Sequence, residues 1–158
     1  MTHLKPTTIR PATTADLPAV RRLLRDYVAW VNLDLSFQDF EGELQALPGD
    51  YAPPRGALLV AEVGADTVAM IALRPLADQV CEMKRLFVHP SARGLGVAKA
   101  LITRVISEAR GMGYREMRLD TLPAMRDAQA IYETFGFRDI DAYYETPIEG
   151  TRFMRVAL

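Results

Sequence analysis

Apolar positions along this chain change period several times, and each change marks an element. Residues 7–11 read as a short strand that stops at Pro11. Leu17, Val20, Leu23, Leu24, Tyr27, Val28 and Val31 then recur at helical spacing. Thr13 or Thr14 supplies a cap, and Asp16 lies beside the positive end of the helix dipole. A second helix over 36–47 carries Phe37, Phe40, Leu44 and Leu47, with Asp39, Glu41 and Glu43 between them, and stops at Pro48-Gly49. Residues 50–56, with Pro53-Pro54, form a loop. The pattern then turns strand-like over 57–63, 68–73 and 80–88, with a hairpin turn at Gly64-Ala65-Asp66-Thr67. Ala98, Leu101, Ile102, Val105, Ile106, Ala109 and Met112 return to helical spacing, closed by Gly111 or Gly113. A strand at 116–121, a helix at 124–135 stopped by Gly136, and strands near 137–144 and 151–157 complete the chain.

This order predicts an α/β fold built on one mixed sheet. Strand and helix alternate in the later part, which favours parallel pairing there and a ligand at the strand C-termini. At 158 residues, 49% apolar and 25% charged, the chain reads as one globular domain, 1–158. The net charge of −1 gives no general attraction to nucleic acid or to an anionic membrane. The first eight residues contain no apolar run of a signal peptide, no segment reaches the ~20 apolar residues of a membrane span, and Cys81 is the single cysteine. The expectation is a cytoplasmic protein. His3 and His89 have no metal-binding spacing, so no metal is expected.

The most informative stretch is Leu86-Phe-Val-His-Pro-Ser-Ala-Arg-Gly-Leu-Gly-Val-Ala-Lys-Ala-Leu101. An apolar strand runs through a Pro-marked turn into Arg93-Gly94-Leu95-Gly96-Val97-Ala98 and then into a helix. Small residues at 94, 96 and 98 let a ligand approach the backbone, and the unpaired N–H groups of the helix start favour an anion. A dinucleotide fingerprint fails because Lys99 occupies the third small position, and a P-loop fails because Ala100 follows Lys99. The plain alternative is a tight strand–helix turn that uses glycine only for packing.

The unit resembles the acetyl-CoA-binding motif of the GNAT superfamily, Arg/Gln-x-x-Gly-x-Gly/Ala after an apolar strand. A second similarity lies in Ile131-Tyr132-Glu133-Thr134-Phe135-Gly136-Phe137, and a third in Ile9-Arg10-Pro11-Ala12 followed by Asp16-Leu17. One departure is Met125, where many relatives carry Asn near the start of the fourth helix. The resemblance implies a sheet of six to seven strands, about four helices, and fourth and fifth strands that splay apart. It implies acetyl-CoA as co-substrate, with the pyrophosphate held by Arg93, Gly94, Leu95, Gly96, Val97 and Ala98. Leu86, Phe87 and Val88 would pair with the pantetheine arm, and the N–H near Val88 would polarise the thioester carbonyl.

Acetyl transfer to an amine needs a neutral nucleophile, a stabilised oxyanion and a protonated leaving thiolate. The resemblance maps Tyr132 onto the general acid; the alternative is a tyrosine that only packs beside Ile131 and Phe135. Glu82, six residues before Val88, is the candidate base by the same mapping. The alternatives are water alone, or a solvent-facing carboxylate ion-paired with Lys84 on the same side of the strand. Cys81 reads as a small buried hydrophobe rather than a nucleophile. The acceptor amine, a small molecule or peptide, would draw on Trp30, Asp34, Asp39, Glu41, Glu43, Tyr143, Tyr144 and Glu145, although Asp39, Glu41 and Glu43 also fit a hydrated helix face. The apolar tail from Phe153 to Leu158 permits, without requiring, a homodimer paired through the C-terminal strands. The reading is an N-acetyltransferase acting by direct attack in a ternary complex. Its rivals are a non-catalytic acyl-CoA sensor and a dinucleotide oxidoreductase.

Overall fold

A computed structural model describes residues 7–35 and 38–158. Seven strands are found among these residues: β1 Thr7–Pro11, β2 Ala57–Val63, β3 Asp66–Ala77, β4 Val80–Val88, β5 Glu116–Thr121, β6 Arg138–Ile140 and β7 Arg152–Ala157. The helices are α1 Leu17–Val31, α2 Phe40–Ala46, α3 Val97–Gly111 and α4 Arg126–Thr134. They cover a single sheet of order β1-β2-β3-β4-β5-β7-β6. Every pairing is antiparallel except β4 with β5. The expected mixed sheet with four helices is therefore what the chain builds.

Strand alternation divides the core in two. Leu59, Ile71, Met83, Met117 and Leu119 face α3, which contributes Leu101, Ile102, Val105 and Ala109. Leu58, Val60, Met70, Ala72 and Phe87 face α1 and α2, which bring Val20, Leu23, Leu24, Tyr27, Phe40 and Leu44. The apolar tail is absorbed by the sheet itself: β7 lies between β5 and β6, with Phe153 and Met154 buried.

Several elements depart from the expected bounds for local reasons. β3 continues past 73 to Ala77 because only β4 pairs with it there, and a one-sided strand tolerates Pro75. The start of the first helix is a 3-10 turn, Thr14–Asp16, where the Asp16 carboxylate accepts from the Thr13 N–H at 2.6 Å and from Arg10. The expected second helix is described only as Phe40–Ala46; Ser36 and Phe37 lie outside the described residues. The fourth helix begins at Arg126, after Met125 at its N-cap. The expected strand at 137–144 pairs only over Arg138–Ile140. Beyond it the chain turns so that the Tyr143 and Tyr144 rings pack edge-on against Phe153, at 5.1 and 5.0 Å.

One irregularity positions the functional site. Ala72 pairs with Lys84, yet Met70 pairs with Phe87, so β4 carries one residue more than β3 across this interval. Arg85 absorbs the excess with a left-handed φ of 60°. Pairing with β5 covers only Val80, Cys81 and Glu82; beyond them the two strands separate. The buried Arg85 guanidinium donates to both Glu43 oxygens, at 2.9 and 3.0 Å, and lies 5.2 Å from the Phe40 ring centre. Glu43, expected on a hydrated helix face, is thus the clamp that holds α2 to the bulge.

Removing one partner of a buried ion pair leaves the other charge unmatched. Glu43→Gln is expected to lower stability by about 3 kcal/mol in urea unfolding. Glu41→Gln, which loses only an exposed contact to Arg25, is expected to cost less than about 1 kcal/mol.

Candidate active site

The splay opens a cleft of about 570 Å³ between the end of β4 and the starts of α3 and α4. Leu86, Phe87 and Val88 form one wall, and Arg93, Gly94, Gly96, Val97 and Ala98 form the rim. Met125, Asp127, Ala128 and Ile131 of the α4 region close the far side. Gly94 and Gly96 adopt φ of 81° and 75°, conformations that favour glycine. A Cβ added at either would meet no protein atom within 4 Å, so the space beside them is open to a ligand. Gly96 caps α3, and the first N–H groups of that helix have no intrahelical acceptor. Leu95 is exposed and does not line the cleft, so of the loop residues it can offer only its backbone.

Trp30 also lines this cleft, rather than an acceptor pocket on the opposite side. Its ring faces the Arg93 guanidinium at 5.0 Å, and the Arg93 Nε donates to the Val88 carbonyl at 3.3 Å. The arginine is held at the mouth by an aromatic face and a strand end.

Deeper in the wedge a small chamber of about 30 Å³ adjoins the cleft, with Leu86 and Met125 lining both. It is room for one water-sized group. Tyr132, Tyr27, Gln38, Lys84, Arg85 and Asp120 contribute its polar lining. Tyr132 is buried, its ring 5.8 Å from that of Phe137. Burial holds its phenol in the protonated form, pushing its pKa above the ordinary tyrosine range, and the nearby Tyr27 and Asp120 push the same way. A neutral phenol in the lining of this chamber can donate a proton there.

Comparisons with known proteins agree with this geometry. The family described as "Acetyltransferase (GNAT) family" matches residues 17–137. An uncharacterised N-acetyltransferase of Schizosaccharomyces pombe is 35% identical over 145 residues, covering 90% of this chain and 89% of that protein. The chain belongs to the GNAT family. An uncharacterised N-acetyltransferase of Escherichia coli is 31% identical over 138 residues, 84% of this chain and 83% of its own length. In fold, the GNAT acetyltransferase of Staphylococcus aureus Mu50 superposes with a TM-score of 0.81 at 21% identity, over 96% of this chain and 99% of that one.

Within this GNAT frame, Glu82 lies on the α1/α2 face of the sheet and only 1% exposed. Its Oε1 accepts from the Arg74 Nε at 2.8 Å and its Oε2 from the Tyr143 hydroxyl at 2.6 Å. The expected partner Lys84 is on the same face but reaches Asp120 instead, at 3.6 Å. Asp120 also accepts from the Tyr144 hydroxyl at 2.7 Å. Tyr143 and Tyr144, expected near the acceptor, thus bring their hydroxyls onto two sheet carboxylates. Asp34, Asp39 and Glu41 line a separate surface pocket near Phe40, and Glu145 is exposed.

Arg74, Lys84, Arg118 and Asp120 were not among the expected site residues. Polar side chains alternating with Met117 and Leu119 look like a solvated face in sequence. The usable signal was that β4 and β5 both carry such alternation at 82, 84, 118 and 120. Cys81 is fully buried in the α3 core, and desolvation pushes its thiol up to about 12. In the native protein Cys81 is expected to resist a disulfide reagent at neutral pH, and to react promptly once guanidinium unfolds the chain. Both are read by thiolate absorbance.

Proposed function

We propose that this GNAT protein moves an acetyl group from acetyl-CoA to a primary amine by direct attack in a ternary complex. The carrying observation is the junction of the cleft with the Tyr132 chamber at the end of β4. The cleft has the donor set a coenzyme A diphosphate requires: open backbone at Gly94 and Gly96, the α3 N-terminus and the Arg93 guanidinium. Leu86, Phe87 and Val88 lie beyond the last β4–β5 pairing, so their edge can add an extended pantetheine arm as a further strand. Met125 lines this cleft and stands where many relatives have Asn, so that contact is apolar here.

In this reading the main-chain N–H near Val88 stabilises the oxyanion as the amine nitrogen bonds to the thioester carbon. Tyr132 gives its proton to the departing thiolate as the carbon–sulfur bond breaks. Tyr132 is reprotonated by the proton that the new amide nitrogen releases. Glu82 is the strand-position candidate for taking the proton of the incoming ammonium, and its route would pass through the Tyr143 hydroxyl, which already fills one of its oxygens.

Trp30 is the only tryptophan and lines the cleft, so its emission should report coenzyme A directly. Tyr132→Phe is expected to lower kcat by about 10²-fold while leaving the coenzyme A titration unchanged. An unchanged kcat would remove Tyr132 from the chemistry, and a protein that binds coenzyme A without releasing its thiol to any amine would be an acyl-CoA sensor.

A further inference from the structure

The chain contains sixteen arginines and only three lysines, Lys5, Lys84 and Lys99. Arginine is a permanent cation, whereas lysine can give up its proton when buried. The cations near it on this face of the sheet, Arg74, Arg85 and Arg118, are arginines, and Arg74 and Arg85 are tied to carboxylates by hydrogen bonds of 2.8 to 3.0 Å. Lys84 differs in type and in how it is held. It stands at 3.6 Å from Asp120, beyond hydrogen-bond distance, with both side chains nearly buried at 7% and 9% exposure. The pair lines the same water-sized chamber as Tyr132. The Gln38 Oε1 in that lining is buried without a hydrogen-bond partner among the described residues.

We propose that Lys84, backed by Asp120, takes the proton from the acceptor ammonium. This rests on the acetyltransferase reading above and puts Lys84 in place of Glu82 as its base, since the two Glu82 oxygens already accept from Arg74 and Tyr143. In the reactive form the Lys84 Nζ is a neutral amine and Asp120 a carboxylate. The incoming ammonium gives one proton to the Nζ lone pair and becomes the nucleophile. The resulting lysine ammonium faces the Asp120 Oδ1, whose partner oxygen is fixed by Tyr144. Gln38 offers its free carbonyl to an N–H of the acceptor. The lysine returns its proton to solvent after product leaves, so one proton is released per acetyl transferred.

The surroundings favour a titrating lysine. Burial is the dominant influence on Lys84 and lowers its pKa, and Arg85 and Arg74 push the same way. Asp120 and Glu82 oppose that shift, and Glu43 of α2 is a further anion nearby. Tyr27 of α1, Tyr132 of α4 and Tyr144 also face Asp120, all held protonated by burial.

With three lysines, protein labelled at the lysine ε-carbon with carbon-13 gives a spectrum simple enough to titrate residue by residue. One signal, absent from Lys84→Arg, is expected to titrate below the other two. Glu82→Gln removes a carboxylate that favours the charged lysine, so this signal should move further down. With alanine, lysine, spermidine and phenylethylamine as acceptors, Lys84→Arg and Lys84→Met are both expected to lose about 10²-fold in kcat. Arginine keeps the charge, so its failure to rescue separates proton transfer from ion pairing. Both variants should retain the Trp30 response to coenzyme A, which shows that the cleft is intact. Three lysines titrating together, a Lys84→Arg enzyme with wild-type kcat, or a Glu82→Gln loss larger than that of Lys84→Met would overturn the assignment. Absence of the Trp30 response in the wild-type protein would instead sink the acetyl-CoA reading.

Discussion

The extra residue in β4 is the constraint on which the site depends. Inserted opposite β3, it turns Arg85 to a left-handed φ, a conformation that costs about 1–2 kcal/mol for a side chain of this size. The strain persists because the Arg85 guanidinium is held by both Glu43 oxygens and rests on the Phe40 ring. A clamp between α2 and β4 therefore fixes the point at which two parallel strands part. Once they part, β4 has no strand pairing with β5 beyond Glu82, and the wedge becomes both cleft and chamber.

The two faces of the sheet divide the work. The α3 face is apolar through Cys81, Met83, Met117 and Leu119, and it sets the helix whose N-terminus meets the cleft. The α1/α2 face is apolar over Leu58, Val60, Met70 and Ala72 of β2 and β3 and at Phe87 of β4; elsewhere on β4 and β5 it carries Glu82, Lys84, Arg118 and Asp120. Buried charge of this density persists only when matched. Arg74 and Tyr143 match Glu82, and Lys84 and Tyr144 match Asp120. The loop after β6 supplies both tyrosines, which explains why that strand is short: its continuation is used to cap the sheet carboxylates.

Much of this was legible from the residues. The fold class, the element order and the glycine loop all follow from periodicity and from small residues placed where a helix begins. Helix and strand periods depend on local spacing, which a single chain displays. The pairing of charges does not. An ion pair of Lys84 with Glu82, two residues away on one face, was one of the alternatives, but the splay brings Asp120 of another strand to Lys84. Glu43 looked like surface until the bulge brought Arg85 to it, and Trp30 belongs to the cleft because α1 ends beside Arg93. Each of these partners is distant along the chain, and no local pattern encodes which one wins. The extension of β3 through Pro75 is the same lesson in the backbone: whether proline is tolerated depends on how many strands flank it.

Amide hydrogen exchange resolved along the backbone, with and without coenzyme A, tests most directly that the interrupted strand edge is the binding surface. Protection on binding should appear together at Leu86–Val88 and across 94–98, while amides of β1 and β2 keep their rates. Protection confined to other segments, or none at saturating coenzyme A, would contradict the account.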